Sequence, residues 1–336
     1  MKAVVLRDIG NLEKLSYEDV EFPLVKSGEA VVCLKAAALN HRDWWIVQGL
    51  YAKIKVPVIL GSDGAGEVVS VGDPKDEVLI GQRVVIHPSL SWGDNARAQG
   101  KDFRILGMPD NGTLAEYVIV PVSNIFEKPE YLTDEEAAVL PLGGLTAYRA
   151  LFVQGKLQKN EVVLITGIGG GVATLAMQMA LAYGVKVMAT SGHEEKIQRA
   201  IKAGIAFGSN YNDEDSFKKL TAAAETYGGI DLIIDSAGGK GFGDLLALIK
   251  PGGRIVNFGA TAGNPESLDL RKMFWKQITL QGSTMGTSED FKNMIAFFRS
   301  HEIKPVIDKV FSLKDFAHAF QRMKDGIQFG KIILKP

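Results

Sequence analysis

The chain has 336 residues, 46% of them hydrophobic and 23% charged, a globular composition that excludes a disordered or collagen-like chain and allows about two domains. Its 38 Lys and Arg balance 39 Asp and Glu, for a formal net charge of −1, so no basic excess points to nucleic acid as a partner. One cysteine, Cys33, excludes an intrachain disulfide and a four-cysteine zinc site. Nothing here asks for an oxidising compartment. The opening MKAVVLRDIG breaks its apolar run at Arg7 and Asp8, so a cytoplasmic location is expected.

Residues 1–125 read as strand-rich, with apolar runs at Lys2–Leu6, Ala30–Ala37, Gly66–Val71 and Arg83–Ile86 between turn residues such as Gly28, Gly61, Gly72 and Pro74. Segment 87–112 has little periodicity and is dense in Gly, Pro, Asn and Asp; so long a loop is commonly functional. At Thr133 the pattern changes. Thr133 with Glu136 predicts a capping box, and Pro141 stops or kinks the helix it opens. Strands are then predicted at Val162–Thr166, Val185–Thr190, Ile230–Asp235, Arg254–Phe258 and Ile278–Gln281. Helices are predicted between them at Val172–Tyr183, at Glu194–Ala203 with Ile197, Ala200 and Ile201 on one face, and near Asp244–Ile249. This alternation predicts an α/β fold with a doubly wound parallel sheet. Residues 162–185 carry no charge, but Gly167, Gly169, Gly170 and Gly171 interrupt them, so a strand, a turn and a helix fit better than a membrane span. The tail predicts helices at Ser288–Arg299 and Leu313–Lys324, then a strand at Lys331–Leu334.

The strand Val162–Thr166 runs directly into GIGGGVA, residues 167–173. Gly167, Gly170 and Gly171, with Val172 opening the helix, have the spacing of a dinucleotide-binding turn. Glycine there lets a pyrophosphate approach the backbone, and the helix N-terminus favours its charge. NAD-binding sheets commonly place an acidic residue just after the second strand. Here that strand enters Ser191, Gly192 and His193, and Glu194 and Glu195 come later. Ser191 and Lys196 suit a 2′-phosphate, so NADPH is favoured over NADH.

Further segments join the glycine turn: GSDGAGEVVSVG at 61–72, NGTLAEYVIVP at 111–121, GLTAY at 144–148, PGGRIVNFG at 251–259, GSTMG at 282–286 and FGKIIL at 329–334. With them, over essentially its whole length, the chain resembles the medium-chain dehydrogenase/reductase superfamily in its zinc-independent quinone oxidoreductase branch. The resemblance implies a GroES-like β-barrel domain over 1–125, completed by 286–336, and a Rossmann domain over 126–285. It also implies an NAD(P)-dependent enzyme acting on a small molecule. A homodimer is expected through the strand-like segment 278–283, near the sheet edge where relatives pair.

The departures bear on the chemistry. Zinc-binding relatives carry ligands at the positions matched by Asn40, Ser62 and Leu142, and the lobe that binds their structural zinc matches the cysteine-free 87–112 segment. An amide, a hydroxyl and an alkyl group cannot make a tight zinc site, so no zinc is expected; His41, Asp43 and Asp63 are the nearby donors in sequence. The resemblance places Asn40 beside the nicotinamide and Thr146 near the cofactor ribose. It places Ser191, Lys196 and Tyr211 around the 2′-phosphate, and Phe258 and Gly259 under the nicotinamide ribose. Met285, Gly286, Phe329, Gly330 and Lys331 match segments at the nicotinamide end. Tyr51 matches a tyrosine of the quinone pocket, and Trp45 replaces a second. Asp43 reads as a turn-stabilising carboxylate, and His41 as either a proton relay or a loop histidine. Trp44, Trp45, Tyr51, Trp92 and Phe103 are either pocket walls or core.

Without a Lewis acid an isolated carbonyl is a poor hydride acceptor, whereas a quinone or an α,β-unsaturated carbonyl spreads the incoming charge as an enolate. The expected activity is therefore NADPH-dependent reduction of such a substrate, with Asn40 and Tyr51 as catalytic donors. Two alternatives remain: an NAD(P)-dependent alcohol or aldehyde dehydrogenase, and a low-turnover dinucleotide-binding sensor or structural protein.

Overall fold

The structure, a computed structural model, describes residues Met1–Pro336. The chain opens with strands β1 (Lys2–Leu6), β2 (Leu15–Asp19) and β3 (Glu29–Ala38), then helix α1 (His41–Val47). Strands β4 (Val58–Ile59), β5 (Asp63–Val71), β6 (Arg83–Ile86), β7 (Ser89–Leu90), β8 (Arg104–Ile105), β9 (Tyr117–Pro121) and β10 (Ile125–Glu127) follow. β3 is apolar along most of its length because it is central, pairing with β5 and β9. The register sets Ala38 of β3 opposite Asp63 of β5. Segment 87–112 is less irregular than its sequence reads, since β7 and β8 pair within it. Helix α2 (Asp134–Val139) opens on the expected box: Thr133 Oγ1 accepts from Glu136 N at 3.1 Å, and Glu136 Oε2 accepts from Thr133 N at 2.9 Å. Helix α3 (Pro141–Tyr148) comes next.

The middle of the chain is a regular alternation. Strand β11 (Val162–Ile165), helix α4 (Gly171–Tyr183), β12 (Lys186–Ser191), α5 (Glu194–Lys202), β13 (Phe207–Asn210), α6 (Ser216–Glu225) and β14 (Ile230–Asp235) lead on to α7 (Leu245–Leu248) and β15 (Ile249–Asn257). Helix α8 (Leu270–Trp275) and β16 (Thr279–Gly282) close it. All six strands are parallel, in the order β13-β12-β11-β14-β15-β16. That is the doubly wound order whose first and fourth strands are neighbours at the switch point. β11 and β14 are buried at every residue, as expected of strands covered on both faces. One face differs from expectation: Ile197 and Ala200 of α5 are buried, but Ile201 is 42% exposed, because a narrow inward stripe leaves it on the flank.

The tail adds helix α9 (Ser288–His301), strand β17 (Ile307–Ser312), helix α10 (Phe316–Lys324) and strand β18 (Lys331–Lys335). β18 returns to pair antiparallel with β3, Ile333 opposite Ala38, and parallel with β17. The resulting seven-stranded sheet runs β10-β6-β5-β3-β18-β17, with β9 also on β3. The chain thus forms two compact units, Met1–Leu145 with Gly286–Pro336, and Thr146–Met285. The division falls later than position 125, where the strand-rich pattern ends. Helix α2 packs on β3 and β5, so its sequence marks a new element but not a new unit.

One buried group carries a measurable consequence. His87 is fully buried, its ring 4.7 Å from that of Phe291, and neither ring nitrogen has a hydrogen-bond partner. Burial pushes its pKa down to about 3. The unfolded chain takes up a proton near pH 6.5 that the folded chain refuses. Stability should therefore fall as pH drops below about 6.5, by up to about 1.4 kcal/mol per pH unit. Urea titrations of the protein and of His87→Phe at pH 7 and pH 5 test this. The variant should lose about 2 kcal/mol less between the two values, and equal losses would contradict the assignment.

Candidate functional site

Three strand ends meet in the first unit. Asn40 lies just beyond the end of β3, Asp63 is the first residue of β5 and Lys331 the first of β18. The β3–β5 and β3–β18 registers bring them together, and Leu39 N donates to Ile332 O at 3.0 Å. The ammonium of Lys331 donates to Asp63 Oδ2 and to Asn40 Oδ1, each at 2.7 Å. Asn40 Nδ2 donates to Asp63 Oδ2 at 2.9 Å, and the backbone N–H of Leu142 donates to Asp63 Oδ1 at 2.7 Å. Lys331 is 3% exposed, Asp63 0% and Asn40 7%. A charge so deeply buried requires a partner, because desolvation costs several kcal/mol per ion, about what good geometry returns.

A second cluster adjoins the same strand ends. Arg42 Nη1 donates to Ser62 Oγ at 2.7 Å and to Leu106 O at 3.0 Å, tying α1 to the 87–112 segment. Its guanidinium carbon stands 5.2 Å from the centre of the Tyr51 ring. Asp43 is fully buried and accepts from Asn40 N at 2.8 Å and Gly61 N at 3.3 Å. Burial raises its pKa above the usual carboxylate value, against the opposing pull of the Arg42 charge.

These residues do not suit zinc. The Asn40 amide is engaged at both ends, Ser62 Oγ itself donates to Leu106 O at 2.7 Å, and Leu142 contributes an alkyl side chain. A cation, the Lys331 ammonium, already neutralises Asp63. No three His, Cys, Asp or Glu side chains cluster as a metal site.

In the second unit the strand β11 delivers the glycine turn. Gly167 has φ +66, a conformation that favours glycine. A Cβ on Gly167 or Gly170 would meet nothing closer than 3.9 Å, so the backbone there is open to a ligand, and Gly170 caps α4. The Lys196 side chain lies over the turn, its Cδ 2.6 Å from where a Gly169 Cβ would be. The Tyr211 hydroxyl similarly covers Gly192, and Tyr211 N donates to Ser191 O at 3.0 Å. Ser191, Lys196 and Tyr211 thus meet around the end of β12, with no acidic side chain on Ser191, Gly192 or His193. This backbone fits a dinucleotide pyrophosphate.

Comparison with known proteins agrees with both halves. Residues 26–130 match the alcohol dehydrogenase GroES-like domain family, and residues 171–300 match the zinc-binding dehydrogenase family. A zinc-type alcohol dehydrogenase-like protein YogA of Leptosphaeria maculans is 33% identical, covering 94% of this chain and 93% of its own. The chain belongs to the medium-chain dehydrogenase/reductase superfamily. An acryloyl-coenzyme A reductase of Sulfurisphaera tokodaii is 29% identical over 100% of both chains. The crystal structure of an NAD-dependent alcohol dehydrogenase superimposes with a TM-score of 0.92 at 34% identity, covering 100% of each chain. This medium-chain dehydrogenase/reductase is an NAD(P)-dependent oxidoreductase with a GroES-like domain and a parallel-sheet Rossmann-like domain.

The residues expected of this dehydrogenase/reductase from its sequence fall into two groups. Gly167, Gly170, Gly171, Val172, Ser191, Lys196, Tyr211, Phe258 and Gly259 follow the C-terminal ends of the parallel strands, with buried Thr146 and Met285 at the limits of the same unit. Asn40, Tyr51, Gly286, Phe329, Gly330 and Lys331 belong to the GroES-like unit. Lys331, matched to the nicotinamide end, directs its ammonium to Asn40 and Asp63. Trp44 is core, packed with the first-unit cluster, and Trp92 is buried edge-on to Phe103, with ring centres 5.2 Å apart. His41 is exposed beside Trp45. Sequence reasoning missed Asp63 as the common acceptor and Arg42 as the tie to the 87–112 segment. The available signal was an Asp and a Lys each heading an apolar strand, in SDGAGEVV and GKIIL.

Proposed function

We propose that the protein is an NADPH-dependent reductase of quinones or α,β-unsaturated carbonyls that works without metal. The observation that carries this reading is the Lys331–Asp63–Asn40 cluster, which engages two of the three positions matched to zinc ligands, the Asn40 side chain and the Leu142 backbone N–H, and leaves neutral N–H donors as electrophiles. The bound nicotinamide supplies the hydride. The Asn40 amide N–H, with the Tyr51 hydroxyl as a second donor, stabilises the oxygen that gains charge. Arg42 holds Tyr51 and the 87–112 segment against α1. A relative that reduces acryloyl-coenzyme A supports a conjugated acceptor.

NADPH oxidation should be screened against quinones, enones, simple aldehydes and ketones, with and without a chelator. Turnover is expected with the first two classes, unchanged by chelation, and elemental analysis should find well under one zinc per chain. Stoichiometric zinc that is lost together with activity on chelation, or turnover confined to alcohols with NAD⁺, would sink the reading.

Cofactor choice follows from the end of β12. A 2′-phosphate carries almost two negative charges, and Ser191, Lys196 and Tyr211 receive it without an opposing carboxylate. Each charge-assisted contact contributes about 1.5–3 kcal/mol, with solvent screening drawing Lys196 to the lower end. NADPH should bind at least about tenfold tighter than NADH. Lys196→Ala should weaken NADPH and leave NADH nearly unchanged in fluorescence titrations. Equal affinities, or equal losses, would show that these residues do not read the phosphate.

The proposed assembly is a homodimer across β16. That strand is the free edge of the six-stranded sheet, and Leu270, Phe274 and Trp275 of neighbouring α8 are exposed, Trp275 by 82%. Sedimentation velocity at micromolar concentration should give a dimer, and Trp275→Glu should shift it to monomer. A wild-type monomer would refute the assembly.

A further inference from the structure

We infer that Lys331 and Asp63 together are positioning residues that set the polarity of the Asn40 amide, so that its N–H and not its carbonyl oxygen is offered to the reacting oxygen. The inference deepens the proposed function and rests on it in one respect, that Asn40 faces the substrate carbonyl.

The two ends of an asparagine amide are alike in shape and opposite in hydrogen bonding. Here both ends are decided by partners that cannot exchange roles. An ammonium only donates, so the Asn40 atom 2.7 Å from Lys331 Nζ is the carbonyl oxygen. An ionised carboxylate only accepts, so the atom 2.9 Å from Asp63 Oδ2 is the amide nitrogen. Reversal would set N–H against N–H and oxygen against carboxylate in a site where Asp63 is fully buried, two repulsions at low dielectric. The Leu142 N–H on Asp63 Oδ1 and the Lys331 ammonium on Oδ2 hold that carboxylate in place. The amide nitrogen carries two hydrogens. Asp63 takes one, and no group of the chain takes the other. That second N–H, polarised through the ammonium–carbonyl bond at the far end of the same amide, is the donor the proposed reaction needs. The arrangement also gives a role to a buried charged pair, since apolar pairs of similar volume often replace such pairs without loss of stability.

The test is a mutant cycle. Lys331→Met with Asp63→Leu removes the pair without stranding a charge. One preorganised donor is worth about 10²–10³-fold in kcat, so an amide free to turn over should cost at least about tenfold. The NADPH dissociation constant should stay within about twofold. In an Asn40→Ala background the same two changes should lower kcat by less than about twofold, because the group they act through is gone. An equal loss in both backgrounds, or full activity in the double variant, would overturn the inference. So would a marked loss of NADPH affinity, which would mean that Lys331 meets the cofactor. Should the double variant not fold, ¹⁵N-asparagine labelling of the intact protein decides the matter, with Asn40→Ala identifying the signals. One Asn40 amide proton is expected to be shifted by the carboxylate and protected from exchange; a freely exchanging, degenerate pair would refute the orientation. That spectrum needs no turnover. A protected amide in a protein inactive on every quinone and enone would therefore reject the proposed function alone.

Discussion

The ion pair between Lys331 and Asp63 is the constraint around which the GroES-like unit is arranged. Its partners lie 268 residues apart in sequence and 2.7 Å apart in space. A buried ammonium without its carboxylate would cost about 3–5 kcal/mol, a large part of the margin of a folded domain. The last strand must therefore return to the first sheet in one register. Ile333 opposite Ala38 and Ala38 opposite Asp63 are that register. A slip of one residue would turn the ammonium to the other face of the sheet. Packing alone would tolerate more. Ile332, Ile333 and Leu334 are similar apolar residues, and the charges at the two ends of the strand, buried Lys331 and exposed Lys335, distinguish one alignment from the next.

The Rossmann-like unit is specified in another way. The ion pairs near the starts of its central strands, Lys250–Asp231 and Arg254–Glu161, are each partly exposed. Its site is made of backbone: a glycine with φ +66 after β11, an open peptide face at Gly170, and a helix N-terminus. At its rim Lys196 folds over the turn and Tyr211 over Gly192. Buried Asp235 accepts from Thr166 Oγ1 at 2.7 Å and from Asn257 Nδ2 at 2.9 Å. It thereby joins the ends of three adjacent strands and holds the loops after them in place. Backbone recognition tolerates many side chains, and for that reason the glycine spacing carries so much information in the sequence.

Legibility follows the same division. Five of the six parallel strands, helices α4, α5 and α7, the glycine turn and the Thr133 capping box are local patterns and overlap their predicted positions, whereas β13, α6 and α8 were not predicted. What could not be read locally depends on pairing across the chain. Helix α2 looks like the start of the second unit until its packing on β3 and β5 is known. Trp44 reads equally as pocket wall or core until the core cluster encloses it. The 87–112 segment looks structureless because two residues in each of β7 and β8 are too few to show a period. Asn40 and Lys331 were each singled out in the sequence, but the contact between them was not. Asp63, between them, was named only as a nearby metal donor, not as the acceptor that joins the two.

Under the proposed reading the cluster also limits the chemistry. A zinc ion accepts a substrate oxygen as an added ligand and draws off its developing charge directly. An ammonium bonded to Asn40 and Asp63 forms no such coordinate bond, and its charge is already matched by the carboxylate. What passes to the substrate is a polarised amide N–H, a weaker electrophile. The enzyme then depends on an acceptor that carries part of the stabilisation itself, by spreading charge through a ring or a conjugated double bond. The preference for a conjugated carbonyl follows from replacing a Lewis acid by a hydrogen bond, and the buried pair follows from the need to orient that bond without error.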